Sequence, residues 1–325
     1  MPTMRAITRD AYGSPDHVLE LRDVDRPTIA DDEVLVEVHA AAVAGDDWHL
    51  VQGQPYAARL VNGLRRPKAR VPGRDVAGRV EAVGASVTRL RPGDAVFGWC
   101  HGALAEHATA LADQVIAMPA NLTPEQAAVV PTSGATALQA VRDLGRTGPG
   151  DQVLVIGASG GVGTFAVQVA NALGAVVTGV CSTTNTDLVR SVGADHVVDY
   201  TLDDFAAGVQ RYDVIIDLVG DRSLSDLRSA LAPKGTLVLV AGTGGRWSKG
   251  THRFVAAALL SPFVSQRLRP LIHRDREDDL RTLRALIEAG ELTPVVSAHY
   301  PLAEVPGAIR HFAQGHARGK VAITV

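Results

Sequence analysis

The sequence predicts an α/β protein of two domains, a β-rich domain and a doubly wound parallel sheet. Three features predict it. Short apolar–polar alternations fill the N-terminal third. A fully apolar strand runs through glycines into a helix after Asp151, and that unit then repeats. The length of 325 residues, with 46% hydrophobic composition, exceeds what one hydrophobic core usually serves.

Glu33–Val38 and Gly78–Gly84 alternate as half-buried strands do. At Asn121–Gln126 the character changes, where Thr123 reads as an N-cap and Pro124 as the first residue of an Ala-rich helix. Val153–Ile156 then reads as a buried strand, followed by glycines and a helix through Val169–Leu173. Further apolar strands are expected at Val176–Val180, His196–Val198, Val214–Asp217 and Thr236–Val240. Beyond Gly242 come a Gly-rich stretch, a helical run Phe254–Leu260 and a sixth strand at Leu268–Ile272, whose Pro270 argues for an edge. Asp278–Glu288 is an amphipathic helix ended by Gly290, and Lys320–Val325 is a final strand.

The net charge of −3 provides no broad positive field for nucleic acid or an acidic membrane surface, so neither is an expected partner. Cys100 and Cys181 are too few for a disulfide scaffold or a Cys-rich zinc site and suit a reducing cytoplasm. Met1–Arg5 lacks a signal-peptide core, and no apolar run approaches the ~20 residues of a membrane span, so a cytoplasmic protein is expected.

The strongest chemical signal is Val153–Gly163. Gly160 would let backbone approach a pyrophosphate, Gly163 would let helix and strand pack closely, and the helix N-terminus would supply amide donors; Ala158, Ser159, Gly161 and Val162 complete the loop. Ala158 replaces the first glycine of the usual GxGxxG pattern. The alternative is an ordinary tight turn. At the end of the second strand a carboxylate would select NAD, whereas Cys181–Asn185 presents Ser182, Thr183 and Asn185 and should accept NADP.

Together with Val71–Gly78, Arg91–Gly98, Leu188–Tyr200 and Gly319–Val321, these motifs resemble the medium-chain dehydrogenase/reductase superfamily. The likeness is to its zinc-free quinone oxidoreductase branch, which includes the zeta-crystallins, and it covers essentially the whole chain. It implies a GroES-like catalytic domain from residues 1–121 and 275–325, around a Rossmann domain of residues 122–274, with the active site in the cleft. The superfamily's zinc enzymes carry a Cys and a His-Glu pair where this chain has Ala44-Gly45-Asp46-Asp47 and Arg74-Asp75, so no catalytic zinc is expected. His49, His101 and His107 lack ligand spacing.

By the same resemblance Asp47 and Tyr56 match the Asp and Tyr of the catalytic segment, although Ala44 and Gly45 replace its Asn and Pro. Tyr56 stands beside the nicotinamide or is a rim aromatic, and Asp47 orders the pocket wall rather than acting as a general acid. Thr136 lies near the nicotinamide or bonds back to its own helix. Tyr200 packs near the adenosine phosphate, and Lys320 is a tail lysine near the cofactor or a solvated residue. Leu218, Gly220 and Gly242 complete the expected cofactor contacts. Thr184 stands where many relatives carry Arg or Lys, which weakens the NADPH preference. The implied activity is hydride transfer from NADPH to a quinone or enone by a homodimer. Alternatives are an enoyl or enone reductase of a biosynthetic pathway and a non-catalytic, NADPH-binding crystallin-like protein.

Overall fold

A computed structural model describes residues 2–206, 210–241, 251–313 and 318–325. Its contacts divide the chain into two compact units, residues 1–135 with 275–290 and 294–325, and residues 136–274 with 291–293.

The first unit holds β1 (Thr3–Thr8), β2 (Glu20–Asp25), β3 (Glu33–Val43), β4 (Asp75–Val83), β5 (Ala95–Trp99), β6 (His107–Leu111) and β7 (Val115–Ala117). The alternating sequence of β3 buries Val34, Val36 and Val38 on one side, as the period of two requires. Its second half, Ala40–Val43, is buried on both sides. The expected Thr123 cap forms, its hydroxyl accepting from Gln126 N–H at 3.3 Å while the Gln126 side chain accepts from Thr123 N–H at 3.0 Å. The helix it starts, Pro124–Ala128, packs on β3 and β4, which keeps it with the first unit although the composition changes just before it. The units divide later, inside the helix Pro131–Leu138.

The second unit holds β8 (Gln152–Ile156), β9 (Val176–Cys181), β10 (His196–Asp199), β11 (Tyr212–Asp217), β12 (Leu231–Leu239) and β13 (Arg267–Pro270). Their order is β10-β9-β8-β11-β12-β13, all parallel, the doubly wound order in which the crevice for a dinucleotide lies where the strand order reverses, between β8 and β11. The strands read as continuous apolar runs because helices cover such sheets on both faces. As Pro270 required, β13 is an edge; it stops at that proline rather than at Ile272.

The chain returns to the first unit with the helix Glu277–Glu288, then β14 (Val296–Pro301) and β15 (Lys320–Thr324), giving a sheet ordered β14-β15-β3-β4-β5-β7 with β6 also on β3. No helix among the described residues is long and apolar enough to cross a membrane.

Candidate active site

In the second unit the glycine loop follows β8 directly. Gly157 takes φ +85°, and the N–H groups of Gly157 and Ala158 both donate to Val180 O, at 3.1 and 3.0 Å. The left-handed turn therefore falls on Gly157, which explains why alanine is accepted at 158. Its methyl group sits over Gly179, where a side chain would meet it at 3.0 Å. A Cβ on Gly163 would lie 2.1 Å from Gly157 O, so only glycine brings the helix Gly163–Ala172 this close to the turn. The buried Thr164 hydroxyl beside it has no hydrogen-bond partner. The cradle fits a dinucleotide pyrophosphate.

At the end of β9 the polar groups largely satisfy one another. Asn185 Nδ2 donates to Ser182 Oγ at 3.1 Å, and Thr183 Oγ1 donates to Asp199 Oδ2 at 2.5 Å. Asp199 also accepts from the N–H and hydroxyl of Thr201, at 2.9 and 2.7 Å. These donors, that of Thr183 first, hold its carboxyl below the usual carboxylate range. A carboxylate thus stands at this corner after all, contributed by β10, whose Asp199 is in register with Cys181. Tyr200, the next residue, is exposed.

Leu218 and Gly220 follow β11; Leu218 N–H donates to Ile156 O at 3.2 Å, and Gly220 is positioned by Asp217, which is fully buried. Its Oδ1 accepts from Val219 and Gly220 N–H at 3.2 and 2.9 Å, while its Oδ2 pairs with Arg253 Nη2 at 2.8 Å. Arg253 also donates to Arg222 O at 2.9 Å, tying two further segments to the strand end. Gly242 lies outside the described residues. Thr136 is buried, and one contact of its hydroxyl is His273 Nδ1 at 3.1 Å, a side chain 137 positions away. Gln139 clamps the neighbouring Arg274 at both backbone groups. Neither Asp217–Arg253 nor His273 was evident from the sequence. An aspartate closing the apolar run Val214–Ile216 is the one available signal, since a buried carboxylate demands a partner.

In the first unit Asp47 is buried on the helix Gly45–Gln52, and its Oδ2 accepts from Ala44 N–H at 2.9 Å, closing the first turn. Tyr56 follows on a short 3₁₀ turn. The Arg59 guanidinium lies 4.8 Å from the Tyr56 ring centre and 4.5 Å from that of Tyr12. Arg59 Nε also donates to Gly53 O at 2.8 Å, so this one cation joins the end of the Asp47 helix to the Tyr56 ring. Buried Arg9 carries an unpartnered Nη1; burial lowers its pKa, and nearby Tyr12 and Asp47 oppose that shift.

Lys320 is buried rather than solvated. Its Nζ has no hydrogen-bond partner and lies 3.9 Å from Asp75 Oδ2. The other Asp75 oxygen accepts from Thr132 Oγ1 at 2.5 Å and Thr132 N–H at 3.2 Å. Burial pushes the Asp75 carboxyl up, while Lys320 and Thr132 pull it down.

Residues 192–323 match the family model described as zinc-binding dehydrogenase, and residues 30–121 that of the alcohol dehydrogenase GroES-like domain. The chain is 32% identical to the mitochondrial NAD(P)H oxidoreductase RTN4IP1 of Mus musculus, over 99% of this chain and 89% of that one. It belongs to the medium-chain dehydrogenase/reductase superfamily. This dehydrogenase/reductase is also 32% identical to the 2-methylene-furan-3-one reductase of Solanum lycopersicum, over 98% of this chain and 79% of that one. The solved quinone oxidoreductase from Coxiella burnetii superposes with a TM-score of 0.86 at 30% identity, covering 100% of both chains. The chain is accordingly an oxidoreductase that works with a nicotinamide cofactor.

At the positions where the resemblance puts the ligands of the superfamily's zinc enzymes, outside the segment that the first family model matches, the residues of this chain do not fit zinc. Ala44 offers no donor, Arg74 pairs with Asp275 at 2.5 Å, and Asp75 is engaged by Thr132 with Lys320 nearby. Among the described residues no cluster of three or more His, Cys, Asp or Glu is arranged to hold a metal ion.

Proposed function

We propose that this chain is an NADPH-dependent, zinc-independent reductase that passes hydride to a quinone or an α,β-unsaturated carbonyl. The observation that carries this reading is the Arg74–Asp275 pair with the Asp75–Thr132–Lys320 cluster, which put cations and hydrogen-bond donors where a zinc enzyme keeps ligands. When bound, the dinucleotide supplies the hydride. The loop Gly157–Gly163 would hold its pyrophosphate through backbone amides, with Leu218, Gly220 and Gly242 along the strand ends. Ser182, Asn185 and Tyr200 would face the adenosine, and Lys320 would meet the cofactor. Asp47 orders the segment leading to Tyr56. A proton would come from the Tyr56 phenol or from the Thr136 hydroxyl, which His273 holds.

The catalytic part is assigned to the N- and C-terminal segments and the cofactor part to the central one. An enone acceptor is the second reading, favoured by the likeness to the tomato 2-methylene-furan-3-one reductase. The test is NADPH oxidation against a panel of small quinones and enones. Turnover with neither class, in a protein that binds NADPH, would make it the non-catalytic, crystallin-like binder instead. The cytoplasmic assignment is supported by two free, buried cysteines, Cys100 and Cys181, which suit a reducing compartment.

The NADPH preference is supported by the absence of a carboxylate at the end of β9 and is weakened by Asp199. Ser182→Asp is expected to shift the NADPH/NADH ratio of kcat/KM toward NADH by at least about tenfold, through repulsion of the 2′-phosphate. Asp199→Asn is expected to move the ratio the other way, by about fivefold, because the charge is removed while Thr183 keeps an acceptor. Unchanged ratios in both would displace the adenosine site from this corner.

A homodimer is proposed across β13. The helix Thr251–Leu260 exposes Val255 and Leu259 one turn apart, and Phe263 and Ile272 are 84% and 79% exposed beside the edge strand. Sedimentation at micromolar concentration should show twice the mass of one chain; a monomer would remove the pairing.

A further inference from the structure

Between Asp47 and Asp75 the chain carries six cations, Arg59, Arg65, Arg66, Lys68, Arg70 and Arg74, and no carboxylate, although its net charge is −3. The structure sorts them. Arg59 is stacked between two tyrosines, Arg70 pairs with Asp10 at 3.0 Å, and Arg74 pairs with Asp275. Arg65, Arg66 and Lys68 are exposed and enter no ion pair among the described residues. In the same turn Leu60, Val61 and Leu64 are 76%, 73% and 65% exposed. Scattered apolar residues at a surface are ordinary; three within five positions, flanked by three unpaired cations, are not.

The backbone holds these side chains outward. The helix Arg59–Asn62 ends at Gly63, φ +113°, where a Cβ would lie 2.0 Å from Arg66 O, so the chain folds back on itself there. Lys68 N–H closes the loop onto Asn62 O at 2.8 Å. From outside the loop, the Tyr12 hydroxyl donates to Gly63 O at 2.8 Å and approaches Asn62 O at 3.1 Å. The apolar residues thus stand exposed on a turn whose backbone is tied down.

We infer that this loop docks the protein on an anionic lipid bilayer. Leu60, Val61 and Leu64 enter the headgroup boundary, and Arg65, Arg66 and Lys68 meet the lipid phosphates. Charge complementarity selects an anionic partner, and exposed apolar side chains directly beside the unpaired cations match the boundary of a bilayer, where anionic headgroups meet hydrocarbon. Neither signal alone anchors firmly, but a small apolar insertion and a local basic cluster act together. The whole-chain charge conceals the cluster because carboxylates elsewhere outnumber it.

The test sediments the full-length chain with vesicles of phosphatidylcholine alone or with roughly one third phosphatidylglycerol. Expected is co-sedimentation with the anionic vesicles only, weakening as salt is raised. Leu64→Ser, and separately Arg65→Glu with Arg66→Glu, should each lower the bound fraction by at least about fivefold. Thermal midpoint and turnover of a water-soluble acceptor should stay unchanged. The inference is overturned by no binding to anionic vesicles, by equal binding to both lipids, or by variants that bind like the parent. A sedimentation mass that falls in the variants without any vesicle binding would overturn it too, making the loop a contact between copies. Vesicle binding is read without turnover, so its failure is distinguishable from failure of the hydride-transfer reading.

Discussion

Asp217→Ala is expected to cost about 3–5 kcal/mol of stability, the range for removing one partner of a buried ion pair. The carboxylate is fully buried at the end of β11 and meets Arg253 at 2.8 Å, so the truncation leaves a guanidinium that is itself 8% exposed without its counter-charge. It also removes the oxygen that accepts from the N–H groups of Val219 and Gly220. Chemical denaturation should show the loss as a lower midpoint with little change in slope. Asp217→Leu combined with Arg253→Met should recover the part of the loss that comes from the stranded guanidinium, because neither charge then remains buried alone. NADPH affinity should not recover with it, since the Asp217 acceptor for Val219 and Gly220 is still missing. A loss under about 1 kcal/mol for Asp217→Ala would show that water replaces the pair, as at an exposed site.

Gly163→Val is expected to weaken NADPH binding by about a hundredfold or more, the scale of a loop displaced by an ångström from its working position. A Cβ there would lie 2.1 Å from Gly157 O and 2.8 Å from both the C and the Cα of Ala158. These are backbone atoms, so no rotamer change relieves the clash, and the turn must separate from the helix that presents the amides. Titration of NADPH fluorescence reads the effect directly. Gly160→Ala separates packing from ligand contact, because a Cβ on Gly160 would meet Gly157 O at an ordinary 3.4 Å and should leave the thermal midpoint nearly unchanged, whereas Gly163→Val should lower it. Any NADPH affinity lost in Gly160→Ala without loss of stability would reflect the methyl group meeting the ligand. Near-normal affinity in Gly163→Val would refute the close approach.

The parallel sheet was open to reading because its information is local. Val153–Ile156 is apolar without alternation, the glycines follow at once, and each later strand repeats the pattern, so periodicity and turn chemistry agreed with the final topology. The boundary near residue 121 followed a real change in composition. The helix that begins there nevertheless packs with the first unit, since the surface a helix buries against depends on strands far away in sequence. The same distance conceals the partners of Thr136, Asp75 and Asp217, which lie 137, 245 and 36 positions away, at His273, Lys320 and Arg253.

At the end of β9, where the adenosine is proposed to bind, Cys181–Asn185 include no carboxylate. Strand pairing brought Asp199 of β10 beside Thr183 and so returned a negative charge to the same place. A one-dimensional pattern determines which backbone geometries and which faces a segment prefers, because those depend on neighbours within a few residues. It therefore determined the strand–glycine–helix unit and the capped helix at Thr123. Which charges meet, and whether a lysine such as Lys320 ends in solvent or beside a buried aspartate, was decided only when distant strands packed and excluded water from between them.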